Sequence, residues 1–323
     1  MSEHLEVSVP VLLDGVRVDR AVAMVAEVSR AVAAELVAAG AVLVDGQPVT
    51  TRSFPLVAGT TLVVTVPDPA SGRLVAEDDV AFTVVHEDPD VVVVDKPAGL
   101  VVHPGAGRTG GTLAAGLLAR YPELAELEEA GVGDAGRPGI VHRLDRGTSG
   151  LLAVARTERA YRSLTAQLAA REVERRYVAL ANGLLADDRG VVDAPIGRSA
   201  RTPTRMAISA QGRRAATAYA VVQRFEEPPE ATLVVLTLET GRTHQIRVHL
   251  AAIGHPVVGD ERYGPLKGWR AGLPSGRFFL HAAVLGFEHP SGEGRLRFVA
   301  GLPEDLRLAL PGAPEHLEEA LGG

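Results

Sequence analysis

The stretch Gly139-Ile-Val-His-Arg-Leu-Asp-Arg-Gly-Thr-Ser-Gly-Leu-Leu152 has an apolar entry, a polar run holding two glycines, and an apolar exit that continues through Ala155. That order reads as strand, functional loop, strand. Asp145 stands at the start of the loop between Arg143 and Arg146. A carboxylate flanked by guanidinium groups stays ionised at neutral pH, as a carboxylate nucleophile must. Thr148 and Ser149 carry hydroxyls for backbone or phosphate, and Gly147 and Gly150 let the main chain approach a ligand. Residue types alone leave a second reading open: a turn whose aspartate is merely salt-bridged.

The flanking stretches decide between these readings. Upstream stands Val94-Asp-Lys-Pro-Ala-Gly-Leu-Val-Val-His-Pro104. Downstream, in order, come Tyr177-Val-Ala-Leu180, Gly241-Arg-Thr-His-Gln-Ile-Arg-Val-His249, Gly254-His-Pro-Val-Val-Gly-Asp260 and Leu280-His-Ala-Ala283. Together with His142-Arg-Leu-Asp145 and Thr148-Ser-Gly-Leu151, they resemble the motifs of the RluA/RluD family of pseudouridine synthases, over residues 80–300. One position departs from the pattern: residue 147 is Gly, where many members carry Asp, Glu or another polar residue.

The resemblance implies an α/β protein of α+β type, with a mixed, largely antiparallel central sheet bearing helices. It implies isomerisation of uridine in RNA to its C-glycoside. Asp145 would be the nucleophile, Tyr177 would stack on the flipped uracil and serve the proton step at C5 or C2′, and Arg247 would pair with Asp145. Breaking the glycosidic bond puts positive charge on C1′, which a carboxylate can attack or stabilise. The base then leaves as an anion, turns and re-bonds through C5, so the site must hold it. A covalent adduct and a glycal intermediate are both compatible with these residues. No metal or organic cofactor is expected. A uridine in folded RNA must leave its stack, at a cost on the order of a few kcal/mol. Backbone contacts must supply it, and Arg143, Arg146, Arg198, Arg201, Arg205 and Arg242 are candidates. His142, Thr148, Ser149 and His244 join Arg143, Arg146 and Arg242 as candidate substrate-binding residues.

Bland readings stand beside these. A tyrosine at the start of a strand is often a core residue. The 242–249 stretch reads as a strand whose period-two alternation puts Arg247 and His249 on one side, a ligand face or a wet one. His103, His142, His244, His249 and His281 invite a metal, but none stands in a zinc-type pairing such as His-Glu-x-x-His. His142 and His244 are expected to make structural hydrogen bonds or phosphate contacts. A glycosidase would want a second carboxylate as general acid, and no partner for Asp145 is recognisable.

Ahead of the motifs, Asp19 is the expected N-cap of a helix running to Val28, and Ser29 that of a helix over Arg30 to Ala39, ended by Gly40. The strand Ala41-Val-Leu-Val44, the hairpin signal Asp45-Gly46 and the strand Leu62 to Val66 come next. Two helices and a small hairpin resemble the S4 RNA-binding module. The basic residues usual on its second helix are missing, and between Val16 and Val66 four arginines meet four acids. A weak phosphate grip is expected there.

At 323 residues the chain suggests about two domains. Residues 11–67 form the S4-like domain, 68–80 a linker, 81–305 the catalytic domain and 306–323 an acidic, frayed tail. Within the catalytic domain, Phe82 to Val94 reads as two strands and 122–138 as a loop or insertion. Alternating strands and helices are expected from there to about residue 300. With 46% hydrophobic and 23% charged residues, disorder as the main state is excluded. Apolar runs such as Val91 to Val94 fall far short of the ~20 residues of a membrane helix. No export signal is legible. The absence of cysteine excludes disulfides, thiol catalysis and cysteine-ligated metal. A cytoplasmic protein without a membrane partner is expected. The net charge of −7 argues against nucleic acid. Its distribution does not: His142–Arg176 and Gly197–Arg247 each hold eight arginines against four acids, whereas the segment from Gly301 has one arginine against five acids. With only 4% aromatics, RNA should be recognised by shape and phosphate contact. The expected substrate is large-subunit (23S) ribosomal RNA, with the pre-ribosomal large subunit as a partner and the enzyme a monomer. The alternatives are a tRNA pseudouridine synthase and a non-catalytic RNA-binding or ribosome-assembly factor on the same fold.

Overall fold

A computed structural model describes all residues except 1–2, 27, 29, 67–73, 104–109, 135, 200–201, 203–204, 266–268, 315 and 323. The cap expected at Ser29, the backbone contact at Arg201 and the linker's first part, 68–73, lie outside the described residues. The chain divides into two compact units, 1–73 and 74–323.

In the first unit, β1 (Glu3–Ser8), α1 (Val18–Val25), α2 (Arg30–Ala38), β2 (Val42–Val44), β3 (Gln47–Pro48) and β4 (Thr61–Val66) succeed one another. The strands form an antiparallel sheet ordered β1-β4-β2-β3. Val18, Val22, Val37, Val42 and Val64 are fully buried in its core. Asp45 and Gly46 both take positive φ, as the tight turn between β2 and β3 requires. Asp19 is not the N-cap. Arg17 occupies that position, and Asp19 lies inside the first turn of α1, where a carboxylate suits the helix dipole. The two side chains pair at 2.7 Å, so one of the unit's arginines is neutralised locally. The helix also stops at Val25 rather than Val28.

The second unit is built on a nine-stranded sheet of described residues. Its early elements are β5 (Thr83–Glu87), β6 (Val91–Lys96), α3 (Leu113–Arg120), α4 (Leu124–Glu129), β7 (Ser149–Ala155), α5 (Glu158–Ala170) and β8 (Glu174–Asn182). Then come β9 (Arg189–Asp193), β10 (Ile196–Arg198), β11 (Met206–Ile208), β12 (Ala216–Phe225), β13 (Ala231–Leu238) and α6 (Gln245–Ala252). The last are β14 (Leu280–Glu288), β15 (Arg295–Val299), α7 (Glu304–Leu308) and α8 (Leu317–Gly322). The order is β5-β6-β7-β14-β8-β13-β12-β9, with β15 beside β14, and β10 and β11 pair separately. All neighbours are antiparallel except β7 and β14, which meet in parallel through Ser149–His281 and Gly150–Ala282. The mixed, antiparallel-rich sheet expected from the resemblance is the one that forms. No helix among the described residues is long and apolar enough to cross a membrane.

Four local expectations are corrected. The 122–138 segment is not all loop: α4 forms because Leu124 and Leu127, one turn apart, are both buried in the main core. The entry to the Asp145 loop is not a strand; Ile140 makes a single bridge to Val154. From β8 to β13, among the described residues, strands succeed one another with no helix between. The C-terminus is not a frayed tail. Leu306 of α7 and Leu317 and Leu321 of α8 are buried in the main core, and their acidic neighbours form the wet faces of short amphipathic helices.

Candidate active site

The Asp145 loop is positioned by the strand at its C-terminal end. Gly150, on β7, takes φ +114°, and a Cβ there would lie 2.3 Å from the Ala282 carbonyl oxygen. Only glycine lets β7 lie against β14 at this point. On its other side β14 pairs with β8, placing Ala282 opposite Tyr177. Close strand approach thus carries the loop before β7 toward the tyrosine of β8. Both residues line one cleft of about 780 Å³. Tyr177 is 6% exposed, and burial raises its pKa above the usual tyrosine value, with the Asp145 charge acting the same way and Arg175 opposing. Its hydroxyl therefore stays protonated at neutral pH.

Arg247 reaches the cleft from α6, not from a strand. The apolar residues Ile246, Val248 and Leu250 alternate as in a strand, but every residue from Gln245 to Leu250 is buried. Buried on all sides, this helix shows no apolar stripe. Gln245 organises its start: its Oε1 accepts from Thr240 Oγ1 (2.7 Å) and the Arg242 N–H (3.0 Å), and its Nε2 donates to Ala216 O and Thr217 Oγ1. Two residues on a helix are about 200° apart, so Arg247 and His249 face opposite ways. His249 bonds Thr217 Oγ1 and the Ala194 carbonyl behind the helix. Arg247 Nη1 donates to Asp145 Oδ2 at 2.9 Å, while its Nε and Nη2 grip Asp260 at 2.6 and 3.0 Å. Its guanidinium lies over the rings of Phe278 and Tyr263, 4.2 and 5.0 Å from their centroids. Burial opposes its charge, and Asp260, then Asp145, more than offset this, so its pKa is raised.

The other expected residues divide. Arg143, Thr148, Arg242 and His244 line the same cleft. His244 shares a hydrogen bond with the Tyr263 hydroxyl (2.6 Å) and puts Nε2 3.9 Å from Asp145. Three candidates make structural bonds, His142 from a place on the cleft lining and Arg146 from an exposed position. His142 Nε2 accepts from the Ala153 N–H at 3.0 Å, and burial pulls its pKa down to about 3, so it is a neutral brace on β7. Ser149 is buried, with Oγ bonded to His281 Nδ1 (2.9 Å) and to Arg277 Nη2 (3.0 Å). Arg146 is tied to the Gly99 backbone on both sides, by its own Nε and by the Gly99 N–H to its carbonyl. Paired hydroxyls and flanking cations read as ligand groups in one dimension, because their packing partners lie far along the chain.

Several contributors carried no such signal. Asp260 stood in a quoted motif without a role, yet it anchors Arg247 and accepts the Arg262 and Tyr263 N–H groups as well. Arg277 is buried and donates to the Gly147 carbonyl (2.7 Å), Ser149 and Asp305, clamping the Asp145 loop from the far side. Lys96 is fully buried, with Nζ donating to the Pro97 and Leu100 carbonyls. Burial, with Arg277 adding, pulls its pKa to about 7 against the charges of Asp145 and Asp95. The departure at position 147 also has its reason. A Cβ on Gly147 would lie 2.3 Å from the Gly276 carbonyl oxygen and 2.5 Å from Phe278 Cε1, so no side chain fits.

Among the described residues no cluster of His, Asp and Glu could hold a metal ion. The site joins a carboxylate, an arginine and a buried phenol on one cleft wall. The RNA pseudouridylate synthase family model matches residues 90–252, and the S4 domain model matches 16–62. An uncharacterized RNA pseudouridine synthase of Bacillus subtilis, YlyB, is 43% identical over 83% of this chain and 84% of its own. The ribosomal large subunit pseudouridine synthase D of Vibrio parahaemolyticus is 39% identical over 90% of this chain and 89% of its own. The protein of the same name from Xanthomonas campestris is 42% identical over 87% and 83%. Among solved structures, human RNA pseudouridylate synthase domain containing 1 superposes with a TM-score of 0.58 at 28% identity, covering 76% of this chain and 96% of that one.

Proposed function

Since the chain belongs to the RNA pseudouridylate synthase family and carries an S4 domain, we propose that it isomerises specific uridines of large-subunit ribosomal RNA, with Asp145 as nucleophile. The observation that carries this reading is the Asp145–Arg247 pair at 2.9 Å, on a cleft lined by Tyr177. The relatives named for the ribosomal large subunit support the choice of RNA.

The Asp145 carboxylate attacks C1′ as the C1′–N1 bond breaks, and the uracil leaves as an anion. The base turns and its C5 attacks C1′ as the C1′–O bond to Asp145 breaks, returning the carboxylate free. The C5 proton is then lost to solvent and N1 takes one up, so no atoms are gained or lost overall. Arg247 holds Asp145 in place; because Asp260 takes its other two nitrogens, the guanidinium cannot swing away with the carboxylate. Tyr177, its proton retained, stacks on the base and offers a donor rather than a phenolate. Arg143 and Arg242 at the cleft meet the RNA backbone, whose contacts supply the cost of unstacking. A cytoplasmic location goes with this reading, since the relatives named for the ribosomal large subunit are bacterial.

The test is tritium release from C5-labelled uridine in unmodified large-subunit rRNA, with bulk tRNA in parallel and Asp145→Asn beside the wild type. Release from rRNA by the wild type alone is expected. Release from tRNA only would move the substrate to tRNA. Release from neither, including assembled subunits, with RNA binding intact would leave a binding factor.

A further inference from the structure

On β8, Arg175 and Tyr177 are two residues apart and share a face, and both line the cleft. The intervening Arg176 faces away and pairs with Glu174 at 2.9 Å. Arg175 is 7% exposed, and its Nε is one of two buried side-chain nitrogens among the described residues without a hydrogen-bond partner. A buried guanidinium without a counter-ion is costly and persists only where something else answers it. The stretch that follows Gly241 on the cleft is cationic. Nη1 lies where the backbone of Gly241 leaves room: a Cβ there would stand 2.9 Å away. The next residue, Arg242, also lines the cleft; its Nε donates to the Arg214 carbonyl (3.1 Å), and Arg213 and Arg171 are close enough for their charges to act on it. The acid at hand, Glu239, is shared by Arg171 (3.4 Å) and Arg214 (3.5 Å).

We propose that Arg175, on the cleft that Arg242 also lines, forms a phosphate subsite that takes a backbone phosphodiester of the RNA next to the uridine over Tyr177. A neutral uracil carbonyl would not call for a buried guanidinium with an unpartnered Nε on a cleft that Arg171, Arg213 and Arg242 also line; a phosphate does, and a guanidinium fork matches two of its oxygens. The assignment rests on RNA as the substrate. It makes Arg175 a residue kept for its ligand at the expense of the free protein.

The test titrates the unmodified large-subunit rRNA transcript at several KCl concentrations with wild type, Arg175→Gln and Arg175→Lys. Tritium release and RNA-free melting are measured on the same preparations. Arg175→Gln is expected to weaken binding about 10-fold and to lower the slope of log K against log salt by about 0.7. Its melting temperature stays equal to or above that of the wild type. Arg175→Lys keeps the slope but binds about 3-fold more weakly, having lost the fork. An unchanged slope in Arg175→Gln overturns the proposal even if turnover falls, as does wild-type affinity in Arg175→Lys. A melting temperature lowered by about 5 °C or more, or failure to fold, makes Arg175 structural and also overturns it. A wild type that neither binds nor isomerises RNA defeats the substrate reading itself, which the other outcomes leave standing.

Discussion

Asp145 and Asp260 hold opposite sides of one guanidinium: Arg247 gives a single nitrogen to Asp145 and two to Asp260. The two carboxylates are not equivalent. Asp260 is fully buried and fixes the arginine, while Asp145 keeps 15% of its side chain open to the cleft.

Removing each should therefore fail differently. Asp145→Asn should lower tritium release by about 10³-fold or more, with melting nearly unchanged because Arg247 keeps Asp260. Asp260→Asn leaves a buried arginine short of its main counter-charge, a loss of about 3–5 kcal/mol. Calorimetry should show its melting temperature lower by about 10 °C, with turnover reduced as well. Equal stability losses in the two variants would refute the division of labour.

The crowding around Gly147 leads to a second expectation. Gly147→Asp, the residue type common at this position in the family, should cost about 3 kcal/mol or more through overpacking against Gly276 and Phe278. It should also shift the Asp145 loop, so that turnover falls further than stability. Urea unfolding and tritium release read the two effects separately. Wild-type stability in this variant would mean the loop has slack that the contacts deny.

The end of the chain should prove indispensable. A protein truncated after Gly301 loses the buried Leu306, Leu317 and Leu321, and it strips Asp305 from Arg277, the clamp on Gly147 and Ser149. Each lost leucine alone is worth about 1.5–3 kcal/mol of burial. The truncated protein should melt at least about 10 °C lower, if it folds.

Neutral histidines set the acid limit. His142 and His281 have pKa values lowered by burial to about 3 and about 4. Below the unfolded value of about 6.5, the unfolded chain takes up protons there that the folded chain refuses. Their contribution to stability is complete above about pH 6.5 and lost progressively as pH falls toward those values. Thermal melts at pH 7 and pH 5 should show a smaller drop for His142→Gln than for the wild type. Equal drops would mean that His142 titrates freely.

Much of the fold was legible from residues in a row. The Asp45-Gly46 turn and the Val91–Val94 strand obey backbone rules local to a few residues, whereas Gly150, read as room for a ligand, makes room for Ala282 of β14. The ordered motifs pointed to the fold. Local rules failed where burial is set by distant partners. Gln245–Ala252 has strand-like alternation but forms a helix, because surrounding elements bury every side and leave no stripe to read. The C-terminal acids looked like a tail, because two leucines of a six-residue helix are too few for periodicity to show.

The sequence by itself determined the family, the class of sheet and the presence of Asp145, Tyr177 and Arg247, since these reside in local order and residue identity. Only the tertiary structure decided which polar residues face the cleft. It turned His142 and Ser149 into braces, made Asp260 the anchor of Arg247, and left Arg175 buried with an unpartnered nitrogen. A side chain's role depends on which groups satisfy its hydrogen bonds and charge, and here those groups come from strands and helices far apart along the chain.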